Sequence, residues 1–140
     1  KMKETNTVIG GEGNGGVIYP ESHYGRDALV GVGLFLSHFV AEGKSMTALK
    51  ATYPQYFISK NKLTLSPDMD VDKILEGLKE KYASEEITDI DGVKIDFKDG
   101  WVHLRKSNTE PIIRIYSESK DEAAANRLAE EVIKVAKSLY

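Results

Sequence analysis

Val93-Lys94-Ile95-Asp96-Phe97-Lys98-Asp99-Gly100-Trp101-Val102-His103-Leu104-Arg105 is the stretch that decides the fold. Apolar residues at 93, 95 and 97, and again at 102 and 104, alternate with polar ones. That period of two belongs to strands with one face in a core and one outside it. Asp99-Gly100 between them is a hairpin signal, and Asp91-Gly92 marks another turn just ahead. Ile112-Ile113-Arg114-Ile115-Tyr116 supplies the next strand. Upstream, Tyr56-Phe57-Ile58 to Leu63-Thr64-Leu65 reads as a strand, and Asp70 to Tyr82 as a helix with Ile74, Leu75 and Leu78 on one face. Downstream, Ser119-Lys120-Asp121-Glu122 has the capping-box pattern and opens a last helix, where Leu128, Val132, Ala136 and Leu139 recur at three- and four-residue steps. The order β-α-β-β-β-α, with hairpins, predicts an α+β fold: an antiparallel sheet with helices packed on one face. No internal repeat or low-complexity tract interrupts it.

The first third has a different rhythm and predicts a partial α/β segment. Thr7-Val8-Ile9 reads as a short buried strand, and Gly10 to Gly16 holds five of the twelve glycines of the chain. Ala28 to Val40 is apolar nearly all round, which suits a helix buried on most sides. Gly43 is placed to end it, and Ser45 to Thr52 gives another helical turn or two. Tyr53-Pro54 then breaks the pattern, so the expected domains are residues 1–52 and 53–140.

Composition narrows the functional classes. The chain has 140 residues, 41% hydrophobic and 29% charged, a globular balance. Lys and Arg number 19 against 22 Asp and Glu, a net charge of −3, which argues against a nucleic-acid partner. The absence of cysteine removes disulfides, zinc–thiolate sites and thiol nucleophiles. No uninterrupted apolar run approaches the roughly 18 residues of a membrane span, and no signal-peptide core opens the chain. A soluble, cytoplasmic protein is expected, and a first residue of Lys suggests an excised or processed segment.

Two loops gather chemistry. Arg105-Lys106-Ser107-Asn108-Thr109-Glu110-Pro111 brings a guanidinium, an ammonium, two hydroxyls and an amide into five consecutive residues. A phosphate dianion needs converging donors of this kind, and arginine offers two in parallel. The same composition also makes an ordinary polar turn. Gly10 to Gly16 lacks the Gly-Lys-Ser/Thr of a phosphate-cradling loop and the βαβ setting of a dinucleotide turn. It exposes Glu12 and Asn14 as its functional side chains, a carboxylate and an amide able to pair with sugar hydroxyls, or it is a flexible linker.

These loops carry a resemblance. Gly11-Glu12-Gly13-Asn14-Gly15-Gly16 resembles the sugar-recognition loop of the α-D-phosphohexomutases (phosphoglucomutase, phosphomannomutase and phosphoglucosamine mutase). Arg105-x-Ser107-Asn108-Thr109-Glu110-Pro111 is similar to the phosphate-binding loop of the last domain of that family, and Gly25-Arg26-Asp27-Ala28 resembles its helix opening after the sugar loop. The resemblance covers essentially the whole chain. It implies that residues 1–52 end the sugar-binding third domain and residues 53–140 make the complete fourth. It implies an isomerase that interconverts hexose or hexosamine 6- and 1-phosphates through a phosphoserine enzyme and a bisphosphate intermediate. Mg2+ and a hexose 1,6-bisphosphate activator would serve the full-length enzyme, neither bound by this segment. The partners implied are the phosphosugar and the N-terminal domains of the same chain. The family's serine and metal loops have no counterpart in this sequence, so this segment is expected to bind without catalysing.

Carried over by resemblance, Glu12 would accept from sugar hydroxyls, and Asn14 and Gly16 stand where many members have Ser and His. Arg105, Ser107, Asn108 and Thr109 would grip the phosphate that is not being transferred, with Arg114 as a further contact and Glu110 orienting Arg105 or Arg114. The alternative is a stand-alone, non-catalytic phosphosugar-binding module, or a structural domain whose polar loops are turns. Asp68-Met69-Asp70-Val71-Asp72 imitates a metal cluster but lacks the glycine and distal glutamate of a calcium loop. Ser22-His23 with Asp27 imitates a hydrolase triad without a nucleophile elbow. His38 reads as a partly exposed or satisfied histidine and not a ligand, and Trp101 as core or sheet-face packing; His103, alternating with Val102 and Leu104, reads as facing solvent or lining the cleft near Arg105.

Overall fold

In the computed structural model, residues 1–11, 15–67 and 69–140 are described, and the chain divides into two compact units, Lys1–Pro54 and Gln55–Tyr140. The first unit begins with one helical turn, α1 (Met2–Thr5). Strands β1 (Gly10–Gly11) and β2 (Val17–Ile18) form a two-residue antiparallel ribbon. Helix α2 (Ala28–Glu42) starts at Asp27, whose carboxylate accepts the Val30 N–H at 3.0 Å. It ends at Gly43, in the left-handed conformation with φ 61°. Helix α3 (Met46–Lys50) follows, capped by Ser45.

Burial in this unit differs from the sequence reading. No residue of α2 is buried within the described residues; Leu29 is 85% exposed and Val40 77%. A two-residue ribbon and a five-residue helix provide no layer broad enough to cover an apolar helix of 15 residues. Thr7-Val8-Ile9 is not a buried strand either: the ribbon begins at Gly10, and Val8 is 72% exposed.

The second unit contains β3 (Phe57–Thr64), α4 (Val71–Lys81), β4 (Glu86–Thr88), β5 (Val93–Phe97), β6 (Gly100–Lys106), β7 (Ile112–Ser119) and α5 (Glu122–Lys137). Its sheet is antiparallel throughout, in the order β3-β7-β6-β5-β4. The alternation seen in the sequence sorts its two faces. Leu63, Val93, Ile95, Val102, Leu104, Ile113 and Ile115 form one apolar face, covered by Ile74 and Leu78 of α4 and Val132 and Ala136 of α5. Ala125, Ala129 and Ala136 keep α5 thin where it meets the sheet, and Ser117 on the buried face donates its hydroxyl to the Ala125 carbonyl at 2.7 Å. The opposite face carries Lys60, Lys62, Lys94, Trp101, His103, Arg105, Arg114, Tyr116 and Glu118, the residues of opposite parity. This is the α+β architecture expected from the hairpins.

Four local readings change. A further strand, β4, precedes the Asp91-Gly92 turn and pairs with β5. Asp99-Gly100 is not the turn pair: Lys98 and Asp99 make the bend, and Gly100 pairs with both Phe97 and Ser119. Its glycine is demanded by crowding, since a Cβ there would lie 2.1 Å from the Glu118 carbonyl oxygen. Helix α5 is capped by Asp121, which accepts the Ala124 N–H at 2.7 Å. Ser119 remains in the strand and donates to the Asp99 carbonyl at 2.5 Å. Leu139 lies beyond the last turn of α5, 38% exposed.

Candidate functional site

Strands β6 and β7 converge on the bend at 107–111. Their register places Arg105 directly opposite Arg114, and Arg114 opposite Lys62 of β3. Residues paired across an antiparallel ladder share a face. Three cations therefore form a row across the face opposite the helices, at the end where the bend lies. Like charges opposite one another destabilise a sheet. Each arginine has a carboxylate to offset this: Arg105 Nη1 donates to Asp91 Oδ2 at 2.8 Å, and Arg114 Nη2 lies 3.8 Å from Glu110 Oε2. The hydrogen bond with Asp91 raises the pKa of Arg105 further. Both side chains remain open to a ligand, at 46% and 40% exposure.

The bend itself is held by its backbone. The Ser107 N–H donates to the Ile112 carbonyl at 3.0 Å and the Ile112 N–H to the Glu110 carbonyl at 2.8 Å. Ser107 is buried, while Asn108 and Thr109 are exposed. Among the described residues the Ser107 hydroxyl makes only long contacts, 3.4 Å to both Thr109 N and Thr109 Oγ1. At that length they are weak and readily exchanged for an anion. The backbone N–H groups of Asn108 and Glu110 donate to no acceptor among the described residues. Hydroxyl, amide and guanidinium donors thus lie within one bend and the strand ends beside it. Glu110 neighbours Arg114, one of the two arginines considered for it, and Lys106 is exposed.

Concave space is found elsewhere in this unit as well. Two depressions of about 410 and 420 Å³ are lined by Phe97, Asp99, Arg127 and Leu128, and by Phe57, Ser59, Glu122 and Asn126 respectively. Neither includes a residue of 105–111.

Glu12 and Asn14 lie outside the described residues. Of the remaining lookalikes, the Ser22/His23/Asp27 group has no free base: His23 Nδ1 accepts the Gly25 N–H at 2.9 Å, and Nε2 meets Asp27 Oδ2 at 3.0 Å. Val30 N–H, then His23, holds the Asp27 carboxyl below its ordinary pKa. In the 68–72 run, Asp68 lies outside the described residues and Asp70 caps α4 through the Asp72 and Lys73 N–H groups. Among the described residues no three His, Asp or Glu groups gather as metal ligands would. His38 meets the Tyr53 hydroxyl at 3.1 Å, and Trp101 donates to Glu118 at 3.1 Å. Asp91 is the residue the sequence reading passed over. It reads there only as a turn former, although its turn runs beside the strand that carries Arg105.

Against known families, residues 61–135 match the model for the phosphoglucomutase/phosphomannomutase C-terminal domain. Residues 1–56 match the model for alpha/beta/alpha domain III of the same group. The chain belongs to the phosphoglucomutase/phosphomannomutase family. It is 40% identical over 137 residues to a phosphoglucosamine/phosphogalactosamine mutase of Sulfurisphaera tokodaii, covering 96% of this chain and 30% of that protein. It is 41% identical over 136 residues to a phosphoglucomutase/phosphomannomutase of Thermococcus kodakarensis, covering 96% and 29%. A crystal structure of a family protein from Burkholderia thailandensis superposes with a TM-score of 0.70 at 27% identity, over 97% of this chain and 30% of that one. The chain thus spans about 30% of the length of these relatives. No described helix is long and apolar enough to cross a membrane.

Proposed function

We propose that this chain is the substrate-gripping C-terminal part of a phosphohexomutase, in which residues 53–140 hold the phosphate that stays on the sugar while the other is transferred. The supporting observation is the convergence of Arg105, Arg114 and the Ser107–Thr109 bend at one end of the sheet face opposite the helices, in a chain that matches the C-terminal domain of the family. Hydrogen bonds to a charged group contribute roughly 1.5–3 kcal/mol each, so three or four hold a phosphate after its desolvation. Arg105 supplies paired N–H donors, Ser107 and Thr109 hydroxyls, and the Asn108 backbone an N–H. Holding the non-reacting phosphate orients the sugar and leaves the reacting end free, a gain of proximity and alignment.

In this reading residues 1–52 end the third, sugar-binding domain, where Glu12 and Asn14 pair with sugar hydroxyls. The full-length protein would be a cytoplasmic isomerase of hexose or hexosamine phosphates that needs Mg2+ and a hexose 1,6-bisphosphate. The described residues offer no donor set that fits Mg2+. Metal and nucleophile belong to parts of the enzyme beyond this sequence, and this segment alone binds phosphosugar without interconverting it. Calorimetric titration with glucose 1-phosphate and glucosamine 6-phosphate checks the reading. It expects millimolar-range binding by the 140-residue chain, loss in Arg105→Ala, and no turnover; binding unaffected by Arg105→Ala contradicts it.

A further inference from the structure

We propose that Asp91 is a positioning residue for this site: it fixes the Arg105 guanidinium so that its remaining donors are aimed at the phosphate. The inference rests on the phosphate-binding reading above. An arginine at the exposed end of a strand samples many rotamers, and freezing it opposes binding. Asp91 does that freezing beforehand. Its Oδ2 accepts from Nη1 at 2.8 Å, and this leaves Nη2 and Nε for another acceptor.

Asp91 is itself held in place. Its backbone carbonyl lies 2.6 Å from His103 Nε2, two residues before Arg105 on the same face of β6. The next residue, Gly92, has φ +80°, and a Cβ there would lie 2.1 Å from the Leu104 carbonyl oxygen and 3.0 Å from the Arg105 Cα. The turn therefore lies directly on the backbone that carries Arg105. Carboxylate and guanidinium are mounted on adjoining main chain, so their geometry is set by the fold.

A carboxylate beside an anion site also repels the anion, though between exposed groups that repulsion is screened by salt. The two effects have opposite consequences when the charge is removed, and this separates them. Inorganic phosphate is titrated into the 140-residue chain, followed by the amides of Ser107 and Thr109 and by the Arg105 Nη–Hη signals. Asp91→Ala is expected to weaken phosphate binding about threefold to tenfold and to move the Arg105 Nη1–Hη signal to the averaged position of a free arginine. Asp91→Asn keeps an oxygen acceptor without the charge and is expected to bind within about threefold of the parent, with the Nη1–Hη signal largely restored. Dispersed amide spectra of both variants establish that they fold. Unchanged or tighter binding in both variants overturns the role of Asp91, while loss in Arg105→Ala alone keeps the site itself. No response of the parent chain at Ser107 and Thr109 overturns the site, and the inference with it.

Discussion

At the residue scale, a few side chains of the bend and its flanks have separable jobs. Arg105 is exposed and tied to a single carboxylate, so Arg105→Ala should remove phosphate binding by about tenfold or more. The denaturation midpoint should hardly move, because exposed substitutions change stability by about 0.5 kcal/mol or less. Paired binding and urea-melt measurements check both halves. Gly92 makes the opposite kind of test. With φ +80° and the Leu104 carbonyl 2.1 Å from any added Cβ, Gly92→Ala should cost about 1–3 kcal/mol in the same melt. The arginine, the hydroxyls and the amide of the bend are legible in the sequence because they are consecutive. Asp91 is not: it meets Arg105 across 14 positions, and only the register of β5 against β6 brings them together.

At the element scale, α5 shows how local patterns mislead. Ser119 and Glu122 have capping-box spacing, yet Ser119 is the last residue of β7 and its hydroxyl is used on the Asp99 carbonyl. Asp121 takes over the helix start. Asp121→Ala should therefore cost about 1 kcal/mol, or a fall of about 4–8 °C in the Tm of a domain this size. Calorimetry of the variant checks this, and a Tm within 1 °C of the parent, as an order-of-magnitude criterion, contradicts it. The strands were readable wherever one face is buried, since alternation is then enforced by the core. Strand β4 escaped because three residues, Glu86-Ile87-Thr88, carry too little pattern to stand out. Helix α2 was readable as a helix but not as an exposed one: its composition records apolarity, and burial depends on what packs against it.

At the scale of the whole molecule, the core cluster lies in the second unit, and Leu49 is the buried hydrophobic residue among the described residues of the first. The sheet of residues 55–140 buries Ile95, Leu104, Ile113 and Ile115 completely under two helices. Residues 53–140 produced alone should accordingly unfold in one cooperative transition, with near- and far-ultraviolet dichroism coincident; a broad melt contradicts the division. Removing core volume should be felt throughout that unit, so Ile95→Ala should cost about 2–5 kcal/mol by denaturant titration. The central claim is that the bend after β6 captures a phosphate. It is tested most directly by mapping amide shifts of the 140-residue chain as inorganic phosphate is added. Saturating shifts centred on Ser107, Asn108 and Thr109 that vanish in Arg105→Ala are expected. Shifts centred on another part of the chain, or identical in the variant, would contradict it.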